Sequence, residues 1–153
     1  MNSNAPSEYR SLSRPEMLVY VPESAKRIID IGCGEGGFGK LIKGRQDSEV
    51  WGLERDPAAA SAAKRMLDRV VCGDAVTNVE QLPDAYFDCI VCNDILEHLV
   101  APEDFLRLLK AKLSPDGNII CSIPNVRYFF VLYDLVIKKR WEYQDAGVLD
   151  RTH

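Results

Sequence analysis

A mainly parallel, doubly wound α/β sheet is predicted by three features of this chain. Short β-branched runs alternate with helical patterns. A glycine cluster follows the first run, where the chain must turn from strand to helix. The later run Phe87-Asp-Cys-Ile-Val-Cys92 is almost continuously apolar, as in a strand covered on both faces.

The 153 residues fit one domain, with 46% hydrophobic and 27% charged residues, an ordinary globular balance. Residues 1–14, MNSNAPSEYRSLSR, read as a flexible polar leader, and 15–153 as a single domain. The leader carries no apolar core of a secretory signal, so a cytoplasmic protein is expected. The longest apolar run, Tyr128 to Ile137, is broken by Asp134 and falls short of the about 20 residues a spanning helix needs. A formal charge of −4 supplies no field toward a polyanion, and nucleic acid is not expected as a partner. The five cysteines, Cys33, Cys72, Cys89, Cys92 and Cys121, lie in or beside apolar stretches that read as buried strand or turn. Reduced thiols fit that pattern better than a disulfide frame.

In chain order, Pro15 to Tyr20 suits a short helix with proline at its first position. Arg27 to Ile31 is the first strand, followed by the glycine loop and a helix over Phe38 to Lys43. Glu49 to Leu53 is the second strand, after which Asp56 caps a helix beginning at Pro57 and carried by alanines to about Leu67. Arg69 to Cys72 and Phe87 to Cys92 are the third and fourth strands, both read as buried on two sides. Phe105, Leu106, Leu109 and Leu113 recur at helical spacing over Glu103 to Leu113, and Ser114-Pro-Asp-Gly117 is a closing turn. Asn118 to Ile123 is the fifth strand, stopped by Pro124.

The sharpest motif is Asp30-Ile-Gly32-Cys33-Gly34-Glu-Gly36-Gly37-Phe-Gly39. Residues without Cβ permit a tight turn and close approach of main chain to a ligand, and amides at a helix start attract an anionic group. Gly32-x-Gly34-x-x-Gly37 also satisfies the dinucleotide fingerprint, and a bare turn without ligand is the bland reading. Glu54 ends the second strand about 20 residues beyond the loop, where a carboxylate can accept from two ribose hydroxyls; an exposed charge is its alternative. Asp74, after the third strand, could accept from an adenine amino group or simply close an Asx-turn.

Over roughly Arg27 to Asn125 these motifs, in this order, resemble the class I S-adenosylmethionine-dependent methyltransferases, particularly the small-molecule group similar to ubiquinone and menaquinone O-methyltransferases. The resemblance implies a Rossmann-like sheet of order 3-2-1-4-5. It implies that Asp30 helps hold the methionine end, that Gly32, Cys33, Gly34 and Gly36 form the loop under it, and that Glu54, with Arg55 beside it, binds ribose. Asp74 and the backbone of Ala75 match the adenine-contacting segment. Phe87-Asp88 and Asn93-Asp-Ile-Leu-Glu-His-Leu99 match the fourth motif, with Asn93 facing the cofactor.

The implied reaction is methyl transfer from S-adenosylmethionine, leaving S-adenosylhomocysteine, to an oxygen, nitrogen or carbon nucleophile of a small-molecule or glycan-type acceptor. The sulfonium supplies the driving force, so no metal is called for, and alignment and exclusion of water are the protein's work. Two rivals share the early motifs: an NAD(P)-dependent oxidoreductase, and a non-catalytic module that binds the cofactor or a partner.

His98, just past the fourth strand, is either a general base for a hydroxyl acceptor or a support for the next helix beside Glu97. Cys89-Ile-Val-Cys92 has zinc or redox spacing, but residues three apart in a strand face opposite ways, so it reads as core. The aromatic, then basic segment from Tyr128 to Tyr143 is read as a substrate lid within 125–153, against partner surface, membrane-surface contact or a helix packed on the sheet. A complete class I fold adds two strands in an antiparallel hairpin, yet only 29 residues follow Pro124, so a fragment is expected. Its fifth strand would be an open edge, and a homodimer could form through that edge or through 128–143.

Overall fold

In the computed structural model, which describes residues 13–142, the β-branched run of β1 (Arg27–Ile31) sits at the centre of a five-stranded sheet. β2 (Glu49–Glu54) and β4 (Phe87–Asn93) pair with it on either side. β3 (Arg69–Cys72) and β5 (Leu113–Ser122) form the edges, and every pairing is parallel in the order β3-β2-β1-β4-β5, as the family resemblance implies.

Alternate residues of the central strands feed two cores, which is why their sequences are apolar throughout. Ile28, Val50, Cys89 and Val91 pack on one face with Phe38 and Ile42 of α1 (Gly37–Arg45) and Ala63 of α2 (Pro57–Ala63). Ile29, Ile31, Leu53, Ile90 and Cys92 pack on the other with Ala75 of α3 (Ala75–Asn78) and Phe105 and Leu109 of α4 (Pro102–Lys112). Cys89 and Cys92 thus enter opposite cores, as their spacing requires.

The chain runs outward from β1 to β3 and then crosses back to β4, so the winding reverses between β1 and β4. Connections diverge there, and in sheets wound this way ligands bind in the crevice outside the carboxyl ends of the strands.

Four local expectations are corrected. β3 is not buried on both sides: as an edge strand it has exposed or half-buried residues throughout. Cys72 and Cys121 lie on the two edge strands and are exposed, whereas Cys33, Cys89 and Cys92 are buried. The second helix stops at Ala63 because Arg65 and Met66 donate to carbonyls three residues back, tightening the chain and turning Leu67 into the core. Ser114 to Gly117 is not a turn ahead of the fifth strand but an irregularity within β5: Leu113 already pairs with Phe87, and Asn118 pairs with Cys89.

Asp56 caps α2 as its sequence predicts, its carboxylate accepting from the amides of Ala58 and Ala59 at 2.7 and 3.2 Å. Asp56→Ala is expected to lower stability by about 1 kcal/mol, read as a shift of the urea midpoint at unchanged slope.

Beyond β5 the short helix α5 (Phe129–Val136) has no buried residue. Tyr128, Phe129, Phe130, Leu132, Tyr133, Leu135, Val136, Ile137 and Trp141 are each at least 40% exposed, which overturns the alternative of a helix packed on the sheet. No helix among the described residues is long and apolar enough to cross a membrane.

Candidate functional site

The loop between β1 and α1 is held by main chain on one side and by a carboxylate on the other. Gly32 and Cys33 donate to the Leu53 carbonyl at 2.8 and 3.3 Å, and the Gly34 amide donates to Glu54 Oε2 at 2.9 Å. Glu54 Oε1 accepts from the Asp56 amide at 2.8 Å. One carboxylate therefore joins the glycine loop to the start of α2. An ionised carboxylate offers about four acceptor positions, so two remain on Glu54 for a ligand's hydroxyls.

Left-handed backbone at Gly36, φ 87°, lets the chain enter α1, and a Cβ there would lie 3.2 Å from the Ala63 backbone. Gly52 opposite has a second reason for its missing side chain. A Cβ on it would meet Cys33 Sγ at 2.5 Å and Leu67 at 2.8 Å, so Gly52 makes room for the Cys33 thiol inside the core. Cys33 can offer a ligand only main chain, and burial pushes its thiol well up. Gly32 by contrast is exposed, its main chain open to the crevice.

Asp30, next to last in β1, is only 3% exposed. Burial, with the Glu54 charge adding, pushes its carboxyl up to about 7. A buried acid in that state can hold a cation brought to it.

On the far side of the crevice, Asp74 Oδ1 accepts from the amides of Val76 and Thr77 at 3.0 and 3.3 Å, capping α3. The Asx-turn reading of Asp74 is therefore correct for Oδ1, while the side chain stays exposed. Ala75 is buried as the first residue of that helix, and Arg55 is exposed between β2 and α2.

Asn93 ends β4, and both atoms of its amide are buried without a hydrogen-bond partner. The same is true of both carboxylate oxygens of Glu97, in the 3-10 turn Leu96–His98. Orphaned buried polar atoms are uncommon in folded chains, and apart from Ser48 Oγ those among the described residues lie at or just past the end of β4. Glu97 is the residue sequence reasoning passed over, noted only as a neighbour of His98. Its signal was an acid between apolar residues just past a buried strand. His98 itself is exposed at the end of that turn, its amide donating to the Ile95 carbonyl at 3.1 Å.

One further anchor reaches this rim. Arg14 pairs with Asp94 and donates to Ser122 Oγ at 2.7 Å, while Ser122 Oγ donates to Asp94 Oδ1 at 3.0 Å. The end of the polar leader is thereby tied across β4 and β5.

The chain is similar in sequence and fold to known proteins. A family model described as a methyltransferase domain matches residues 1–151. The mitochondrial ubiquinone biosynthesis O-methyltransferase of Schizosaccharomyces pombe is 36% identical over 106 residues, covering 65% of this chain and 38% of that protein. A trans-aconitate 2-methyltransferase of Methylobacterium radiotolerans is 34% identical over 120 residues, covering 76% and 45%. Among solved structures, a SAM-dependent methyltransferase from Archaeoglobus fulgidus superposes with TM-score 0.70 at 26% identity, over 84% of this chain and 59% of that one. The chain thus spans less than half the length of these two curated relatives. With a methyltransferase-domain model matching residues 1–151 and a five-stranded sheet of order 3-2-1-4-5, the chain belongs to the class I S-adenosylmethionine-dependent methyltransferases.

Proposed function

We propose that this domain binds S-adenosylmethionine at the carboxyl rim of its sheet and serves methyl transfer to a small-molecule acceptor. The observation that carries the reading is the Glu54 carboxylate, which braces the glycine loop and keeps acceptor positions for the two hydroxyls of a ribose. Asp30 takes the cationic methionine end, and the main chain from Gly32 through Gly36, exposed at Gly32, lies beneath it. The Asp74 oxygen not used in capping accepts from the adenine amino group beside Ala75. Asn93 and Glu97 supply buried acceptors and a donor at the end of β4. When bound, the sulfonium supplies an activated methyl group with a neutral leaving group. The chain's own task is to fix donor and acceptor in line and to keep water out.

Several features extend this reading. The relatives named for ubiquinone and trans-aconitate chemistry favour a small acceptor, and the acidic balance of −4 favours it over a nucleic acid. Residues 15–153 act as one domain, with the exposed α5 serving as a lid over the acceptor. The open edge of β5 and the apolar α5 are where two copies would pair. None of the five cysteines is paired in a disulfide, which suits the reducing cytosol.

Calorimetric titration with S-adenosylmethionine, S-adenosylhomocysteine and a reduced nicotinamide dinucleotide tests the reading. The first two should bind and the third should not; preference for the nicotinamide would replace it with the oxidoreductase reading. His98→Gln separates the two roles of that histidine: a general base predicts unchanged cofactor affinity with turnover lowered about 100-fold, and unchanged turnover assigns it a structural role.

A further inference from the structure

Two cysteines stand side by side on β4 and β5 with no part in the chemistry above. Cys92 and Cys121 are partners in the parallel register of the two strands. Register partners point to the same face, and neighbouring strands lie about 4.8 Å apart. That separation falls inside the window of about 4.4 to 6.8 Å between Cα atoms that a disulfide accepts. Both side chains belong to the face of Ile90 and Ile119, Cys92 lying fully buried in that core and Cys121 exposed on the edge strand.

The thiols also interact directly. The neighbouring Cys92 thiol holds the Cys121 thiol down at about 7, while Cys121 and burial push the Cys92 thiol up. An accessible nucleophilic thiol thus faces a shielded partner able to resolve it, the arrangement that redox-responsive cysteine pairs require. The other three cysteines cannot substitute: Cys33 and Cys89 belong to the opposite core, and Cys72 lies on the far edge of the sheet.

We propose that Cys92 and Cys121 form a reversible intramolecular disulfide, an oxidant-responsive modification site beside Asn93 and Ser122. The oxidant is a hydroperoxide, with hydrogen peroxide as the simplest case. The Cys121 thiolate attacks one peroxide oxygen; an S–O bond forms, the O–O bond breaks, and the departing hydroxide takes a proton to become water. The Cys92 sulfur then attacks the Cys121 sulfenic acid; the S–S bond forms, the S–O bond breaks, and a second water leaves with the proton of Cys92. Two thiols are oxidised by two electrons and one peroxide is reduced to two waters. A dithiol reductant reverses the bond by exchange through the exposed Cys121 sulfur.

The test treats the folded chain with a small excess of hydrogen peroxide, caps remaining thiols with iodoacetamide and maps the peptides by mass. The expected result is loss of two alkylatable thiols, a mass lower by two hydrogens, and a cross-linked peptide pair carrying Cys92 and Cys121, all restored by dithiothreitol. Cys72→Ser should behave as the parent. Cys121→Ser, at an exposed site that tolerates the change, should form no intramolecular bond, and Cys92→Ala should stop at the sulfenic acid of Cys121. Recovery of both thiols free, a disulfide mapped to another pair, or a bond only between two chains would overturn the proposal. These readouts use no methyl donor, so they stand or fall apart from the enzyme assignment.

Discussion

Replacing Glu54 with alanine should weaken S-adenosylhomocysteine binding by about 100-fold, the largest loss expected from any single side chain at the site. Two hydrogen bonds from ribose to an ionised carboxylate contribute roughly 1.5 to 3 kcal/mol each, and about 1.4 kcal/mol is a factor of ten. The same substitution also frees the Gly34 and Asp56 amides from their 2.9 and 2.8 Å partners, so the unliganded loop should lose order as well. Glu54→Gln separates the two effects. Its single carbonyl oxygen can retain one amide, so stability should recover more fully than affinity. Titration calorimetry and thermal melting of the three proteins read both quantities. A change in affinity below about threefold for Glu54→Ala would reduce this residue to a brace between loops.

Asp30→Asn should stabilise the unliganded chain at pH 8 by about 4 kcal/mol, roughly three pKa units at about 1.4 kcal/mol each, while weakening cofactor binding by about tenfold. The buried Asp30 carboxyl titrates at about 7, against about 3.9 in an unfolded chain. Below about pH 4 both states carry the proton and the group imposes no penalty. Between there and pH 7 the native state binds more protons than the unfolded one, so stability falls as pH rises and levels off above pH 7. Asparagine keeps the volume without the buried charge, so urea titrations from pH 4 to 8 should show the parent's decline and a flatter profile for the variant. The cost appears in function, because a neutral amide cannot pair with a cationic methionine end. A parent profile that rises through this window would show that Asp30 is stabilised as an anion in the free protein.

Asp30 also shows what the sequence makes legible. Its place two residues before the glycines matches the family's first motif, and the structure adds that the fold holds it buried at a cost. Strand identity was readable because two-sided burial makes central strands continuously apolar, whereas the strand order came with the family resemblance. Helix starts were readable where a cap declares them, as Asp56 does for α2. The edges were harder. Cys72 and Cys121 look buried by composition, and only their place in the sheet order exposes them.

Ser114 to Gly117 carries turn residues, yet its backbone is drawn into β5 by the pairing of Leu113 with Phe87, a long-range contact that no local pattern encodes. Glu97 was missed for a related reason. Its carboxylate is buried in the 3-10 turn Leu96–His98, whereas in sequence a lone acid beside Leu96 and His98 reads as an exposed charge. Asp74 shows its turn reading directly, Oδ1 capping α3, while its second oxygen has no part in that cap.

A crystal structure of the chain grown with S-adenosylhomocysteine tests the central claim most directly. The account predicts the ribose hydroxyls within 3 Å or so of Glu54, about the length of a good hydrogen bond, with the amino-acid end against Gly32 to Gly36 and close to Asp30. Density for the nucleoside elsewhere, or a Glu54 carboxylate turned away from the sugar, would contradict it.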